Sequence, residues 1–214
     1  MFKGFCPETI DFLWGIRLNN RKDWFEAHKQ EYLETLYEPM KELGAQVYAP
    51  LQAADPGLQL HVSRIYRDAR YAHGLPYKDS LWFSIRHDRG YWGEHPCLYF
   101  EVLPESYGFG FGLPWPRADA MQGFREAIAA RPEPFLELLA QTERDTGLVL
   151  SGETYKRPRP CPDPRLVPYF QLKNLLCCRD IPVDEGLFSP ALADEVAGTL
   201  RGLLPLYQEL QRFF

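Results

Sequence analysis

Leu60-His-Val-Ser-Arg-Ile-Tyr-Arg67 is where the chain changes period, and that change decides the fold. Leu60, Val62, Arg64 and Tyr66 alternate with His61, Ser63, Ile65 and Arg67, the two-residue period of a strand with mixed burial. Upstream, the apolar residues recur at helical spacing instead. Pro7 and Glu8 open a helix carrying Ile10, Leu13, Trp14 and Arg17 or Leu18, and Asn19-Asn20 stops it. Asn20 with Asp23 reads as the cap and first-turn acid of a second helix. This one aligns Trp24, Phe25, His28, Tyr32 and Leu36 until Pro39, whose missing N–H and ring clash break or kink it. A third helical piece, over about residues 40–53, ends at Asp55-Pro-Gly57.

Downstream of the switch the spacing predicts further strands over 80–87, 97–103 and 107–113, separated by turn-forming Asp88-Arg-Gly90 and Pro104-Glu-Ser106. Short turns between consecutive strands make an antiparallel meander the economical topology. In 107–112 three aromatics alternate with Gly108, Gly110 and Gly112, and a glycine face lets a neighbour lie unusually close. Amphipathic helices follow over 117–130 and 132–144, the second opened by Pro132 and closed by Thr146-Gly147. The prolines of 153–164 exclude regular structure and make an extended arm. Leu175 to Cys178 reads as one more strand, and Ser189-Pro190 caps a last helix that runs to Phe214 and kinks at Pro205.

These elements add up to an α+β fold: one compact domain with an antiparallel sheet of about five strands covered by helices. Its parts are a helical segment 7–54, a sheet 60–113, a helical pair 117–144, a proline-rich arm 153–168 and a closing strand and helix over 172–214. Composition agrees, since 214 residues at 45% hydrophobic and 14% aromatic are ample for a sizeable core. Met1-Phe-Lys-Gly-Phe-Cys-Pro7 lacks the apolar core of a signal peptide, and no run of eighteen apolar residues occurs. The expectation is a cytoplasmic protein with no membrane partner. Five scattered cysteines without a CxxC pair indicate neither a disulfide framework nor a zinc knuckle.

Chemistry concentrates in residues 64–78, where Arg64, Arg67, Arg70 and Lys78 surround one acid, Asp68, in a chain of net charge −5. Guanidiniums supply the planar donor forks that phosphates and carboxylates prefer. The segment therefore reads as an oxyanion pocket: Arg64, Arg67 and Arg70 bind, Lys78 adds charge, and Tyr66 or Tyr77 donates a hydrogen bond. From the arm, Lys156, Arg157 and Lys173 are candidates to complete it. If a reaction occurs there, Asp68, held ionised by its arginines, is a base, a metal ligand or a positioning group rather than an acid, and Tyr77 the proton donor. A structural reading stands beside this one, with Asp68 bridging arginines and main-chain carbonyls to hold the strand-to-loop crossing.

The same residues resemble the family known as domain of unknown function 2461. Its opening pattern is matched by Phe12, Asn19-Asn20 and Trp24-Phe25, and its basic motif by Arg64, Tyr66 to Asp68, Arg70-Tyr71 and Pro76 to Lys78. Gly108 to Pro114, Lys156-Arg157-Pro158 and Leu172-Lys173 carry the likeness through nearly the whole chain. Where the family has a longer polar turn with two lysines and an acid, this sequence has the shorter Tyr71-Ala-His-Gly-Leu75. The resemblance implies a compact α+β domain and a site, with no reaction or cofactor attached.

Other constellations are weaker. His87, Asp88, Glu94, His95 and Cys97 bracket one hairpin, but their spacing fits no established metal site, and none is assigned. No nucleophile elbow, P-loop, dinucleotide fingerprint or His-Glu-x-x-His is present. Two alternatives to a small anionic ligand remain. One is a non-catalytic module that reads nucleic acid or an acidic protein through 156–173, where five cations face one acid. The other is an interaction domain without a ligand.

Overall fold

The computed structural model describes residues 1–68, 70, 74–88 and 92–214. Parts of two expected turns, Tyr71 to His73 and Arg89 to Tyr91, lie outside the described residues, as does Ala69. Five strands, β1 (Gln59–Val62), β2 (Leu81–Arg86), β3 (Cys97–Val102), β4 (Ser106–Leu113) and β5 (Leu175–Pro182), form one antiparallel sheet in the order β1-β2-β3-β4-β5. The fold is α+β, as the two periods predict. By contacts the chain resolves into two compact units. The first comprises Met1–Ile85, Tyr99–Phe109 and Asp180–Gly198, and the second Arg86–Leu98, Gly110–Arg179 and Thr199–Phe214.

In the first unit, α1 (Pro7–Leu18), α2 (Lys22–Ala27), a single turn α3 (Lys29–Glu31) and α4 (Glu38–Ala54) follow in order, with a π-helical turn over Tyr32–Tyr37. The expected break at Pro39 is replaced by this π turn, and Pro39 sits in the first turn of α4. A proline offers no N–H to the carbonyl four residues back, which is that of Thr35. That carbonyl takes its hydrogen bond from elsewhere: the buried Thr9 hydroxyl of α1 donates to Thr35 O at 2.7 Å. The defect in one helix thus becomes a joint to another. In the core of this unit, Phe100 of the sheet stacks on Phe5 and Phe83 at 6.0 and 5.8 Å.

β1 is shorter than its alternation suggests. Ser63 N–H still donates to Trp82 O, but Trp82 N–H takes the Ser63 hydroxyl at 3.1 Å rather than a main-chain carbonyl, and regular pairing ends there. The basic segment pairs with itself instead. Tyr66 and Tyr77 form an isolated antiparallel bridge, with Arg67 N–H on Pro76 O and Lys78 N–H on Ile65 O.

The second unit holds α5 (Ala118–Ala130), α6 (Pro132–Thr146), the short α7 (Val167–Phe170) and most of α8 (Leu192–Leu210). α8 carries Pro205 within it and stops short of the expected Phe214. Gly147 closes α6 at φ 70°, a left-handed position suited to glycine. At Gly110 a β-carbon would lie 2.4 Å from Cys177 O, so the glycine lets β4 approach the backbone of β5. The proline-rich arm lacks regular structure only as far as Asp163, since Pro164–Leu166 form a 3-10 turn leading into α7, and the part before that turn is not free. Ser151 bridges Leu176, Thr154 bridges Leu172, and Tyr155 N–H donates to Gln171 O.

Among the described residues no helix is long and apolar enough to cross a membrane. All five cysteines are free thiols.

Candidate functional site

Tyr77 is the hub of the basic segment, through its main chain rather than its hydroxyl. Asn20 clamps it from both sides, accepting from Tyr77 N–H at 3.0 Å and donating Nδ2 to Tyr77 O at 2.9 Å. Arg67 Nε adds a third bond to the same residue, donating to its carbonyl at 2.7 Å. Asn20, expected as the cap of the second helix, spends its side chain on Tyr77, and Arg21 occupies the cap position of α2. The Tyr77 ring is 3% exposed and stacks on Phe25 at 4.4 Å, so burial pushes its phenol up in pKa. Tyr66, half exposed, meets the same two rings edge-on or tilted.

Partners for the arginines come from far away in sequence. Asp79 accepts from Arg17 Nε at 2.6 Å and from Arg67 Nη2 at 3.2 Å. Arg17 also pairs with Glu105. Arg67 is therefore held by an acid and a carbonyl, and it fixes the loop. Asp68 and Arg70 pair with each other in a two-pronged bridge, Arg70 Nη2 to Oδ2 at 2.6 Å and Nε to Oδ1 at 3.0 Å. Hydrogen bonds from the Arg70 side chain and main-chain N–H bring Asp68 down to a pKa of about 2. Both members of this pair are exposed and ionised.

Lys78 and Arg64 are different. Lys78 is half-buried; its ammonium donates to Arg64 O at 2.6 Å and lies 5.6 Å from the Trp82 ring centre. Among the described residues it makes no ion pair. Burial lowers its pKa, Glu101 opposes that, and Arg64 and Arg67 add to it. Arg64 is exposed, and its guanidinium enters no hydrogen bond or ion pair among the described residues. Glu101 projects from β3, where burial raises its carboxyl pKa while Ser80, hydrogen-bonded to it, and Lys78 work the other way.

The remaining predicted residues belong to the second unit. Lys156 and Arg157 are exposed, and Lys173 pairs with Glu153 at 3.5 Å. Sequence reasoning missed Arg17, Glu101, Glu105 and the pairing role of Asp79. Glu101 did carry a signal: it is the one acid in the strand Cys-Leu-Tyr-Phe-Glu-Val, in register with Tyr99. Cys97 and Cys177 are buried, with thiols pushed up to about 12 by desolvation, which makes them poor nucleophiles. Among the described residues no three His, Cys, Asp or Glu side chains converge as a metal site.

Residues 8–208 match the family described as conserved hypothetical protein (DUF2461), and the chain belongs to that family. No curated protein matches it.

Proposed function

We propose that this member of the DUF2461 family binds a small oxyanion, a phosphate or carboxylate, at Lys78 and Arg64. One observation carries the reading: the half-buried Lys78 ammonium, bonded to the Arg64 carbonyl, has no carboxylate in ion-pair reach among the described residues, and Glu101 acts on it only from farther off, against the Arg64 and Arg67 guanidiniums. A partly desolvated charge is costly until an opposite charge meets it, and the Arg64 fork stands ready to share the ligand. Arg67 and Asn20 position the loop. Asp68 and Arg70 engage each other and drop out of the binding set, and the case for Asp68 as a base weakens with its low pKa.

Calorimetric titration with orthophosphate and with citrate at low ionic strength tests this. Saturable binding is expected, weakened roughly tenfold or more in Arg64→Ala and in Lys78→Met, the weight of about one charge-assisted hydrogen bond. Variants that bind as well as the parent chain would overturn it.

The exposed Lys156 and Arg157 favour a second reading, contact with an acidic polymer. Binding of that kind falls steeply with salt. Binding of single-stranded oligonucleotide that does not change between low and moderate salt would exclude it, and a chain that binds none of these probes is an interaction domain without a ligand.

A further inference from the structure

Arg125 is a cation placed where cations are costly. It stands on the apolar side of α5, four residues after the buried Met121, and is 3% exposed. Its guanidinium donates to three main-chain carbonyls: Nε to Phe170 at 3.0 Å, Nη1 to Met121 at 3.1 Å and Nη2 to Leu172 at 2.7 Å. The Tyr155 ring lies beside it, 5.6 Å from the guanidinium carbon. A guanidinium has five N–H donors, so part of the fork remains available. Among the described residues no carboxylate pairs with it. Carbonyl dipoles offset some of the desolvation, but they do not neutralise the charge.

A second cation faces the same place. The Arg159 guanidinium carbon lies 4.2 Å from the Tyr155 ring centre, and that of Arg125 lies 5.6 Å from it. Gln171 fixes the Arg159 main chain, accepting from its N–H at 2.8 Å and donating to its carbonyl at 3.1 Å. Arg159 makes no ion pair among the described residues, whereas the third cation near that ring, Lys173, is answered by Glu153. Both arginines line a groove of about 390 Å³ whose other walls include Pro160, Pro162 and Phe170. Glu126 is the acid on its wall, and its carboxylate accepts from Gln122 Nε2 at 2.8 Å. The volume suits a ligand of a single ring with one charged group.

We infer that this groove is a second ligand site, for a small organic oxyanion. The charged head sits on the Arg159 fork and the remaining donor capacity of Arg125, and the apolar body lies against Pro160, Pro162 and Phe170. The inference is independent of the Lys78 and Arg64 reading, because it uses none of those residues.

The test is calorimetry with phenyl phosphate, benzoate and benzyl alcohol, run on the full chain carrying both Arg64→Ala and Lys78→Met so that the first site has lost both of its cations. Saturable binding of both anions and none of the alcohol is expected. Arg159→Ala should weaken the anions at least tenfold, Arg159→Lys should retain part of the affinity, and Glu126→Gln should tighten it. Arg125 also anchors main chain, so the binding test rests on Arg159. No saturable heat from either anion, unchanged affinity in Arg159→Ala, or equal binding of benzyl alcohol would each overturn the inference. Binding by the parent chain that vanishes in the chain carrying Arg64→Ala and Lys78→Met would also overturn it, assigning the anion to the first site.

Discussion

Arg67 and Arg125 are both arginines whose side chains hold main-chain carbonyls, yet their charges meet opposite fates. Arg67 sits in the most basic stretch of the chain and is neutralised: Asp79 takes it together with Arg17, and Glu105 takes Arg17 in turn. Arg125 sits in an amphipathic helix, and its charge is met by carbonyls and the Tyr155 ring, with Arg159 at the same ring. A local excess of positive residues is thus no measure of unneutralised charge. What matters is which acids the fold returns to the spot, and Asp79 reaches its two arginines across separations of 12 and 62 residues.

Removing Arg125 challenges this contrast most severely. Arg125→Ala deprives the buried Phe170 and Leu172 carbonyls of their side-chain donor, each worth about 1–3 kcal/mol when left unsatisfied, while Met121 O keeps its helical partner within α5. A loss of roughly 3–5 kcal/mol is expected, read as a shift in the urea unfolding midpoint at unchanged slope. A cost below about 1 kcal/mol would mean the carbonyls find water, and the contrast with Arg67 would fail.

Asn20→Ala comes next. It removes both clamps on the Tyr77 main chain and should cost roughly 2 kcal/mol by the same measurement. Asp79→Asn probes the neutralised arginine from the side of its acid. Its stability cost is expected near ~1 kcal/mol, because both ion pairs are about one-third exposed and screened. It also releases Arg17 and Arg67 from their shared acid, so orthophosphate affinity should rise. A drop would show that the acid positions the site instead of masking it.

Smaller changes come with pH. Burial places the Lys78 pKa below the ordinary lysine range, so anion binding should fade as pH rises through that lowered value, and Lys78→Arg should abolish the fading. Glu101 is raised by burial. Its folded form binds a proton more tightly than the unfolded chain does, so the associated stability is full below the ordinary glutamate value and is lost as pH climbs through the raised one. Glu101→Gln should flatten that part of a stability-versus-pH curve, and a curve identical to the parent's would remove Glu101 from the account.

Much of the architecture was legible because period reports local geometry directly. The change at Leu60, the helical stripes before it and the glycine–aromatic alternation of 107–112 each mark an element in its place. Errors arose where a polar side chain did something non-local. The Ser63 hydroxyl ended β1, Asn20 left its cap for Tyr77, and the Thr35 carbonyl freed by Pro39 found Thr9. At the site, residues 64–78 were visible as a cluster, Lys78 among them. Glu101 showed only as an acid in an apolar strand, and Arg125 only as a cation four residues after the apolar Met121. Neither observation says what surrounds the charge until the chain is folded.

The order of helices and strands, the mixed-burial switch near Leu60 and the place of a basic segment were all written in the primary structure, because each depends on residues within a turn or two of one another. Which cations keep their charge was left to the folded chain. Neutralisation needs an acid within about 4 Å, and folding, not sequence spacing, sets that distance.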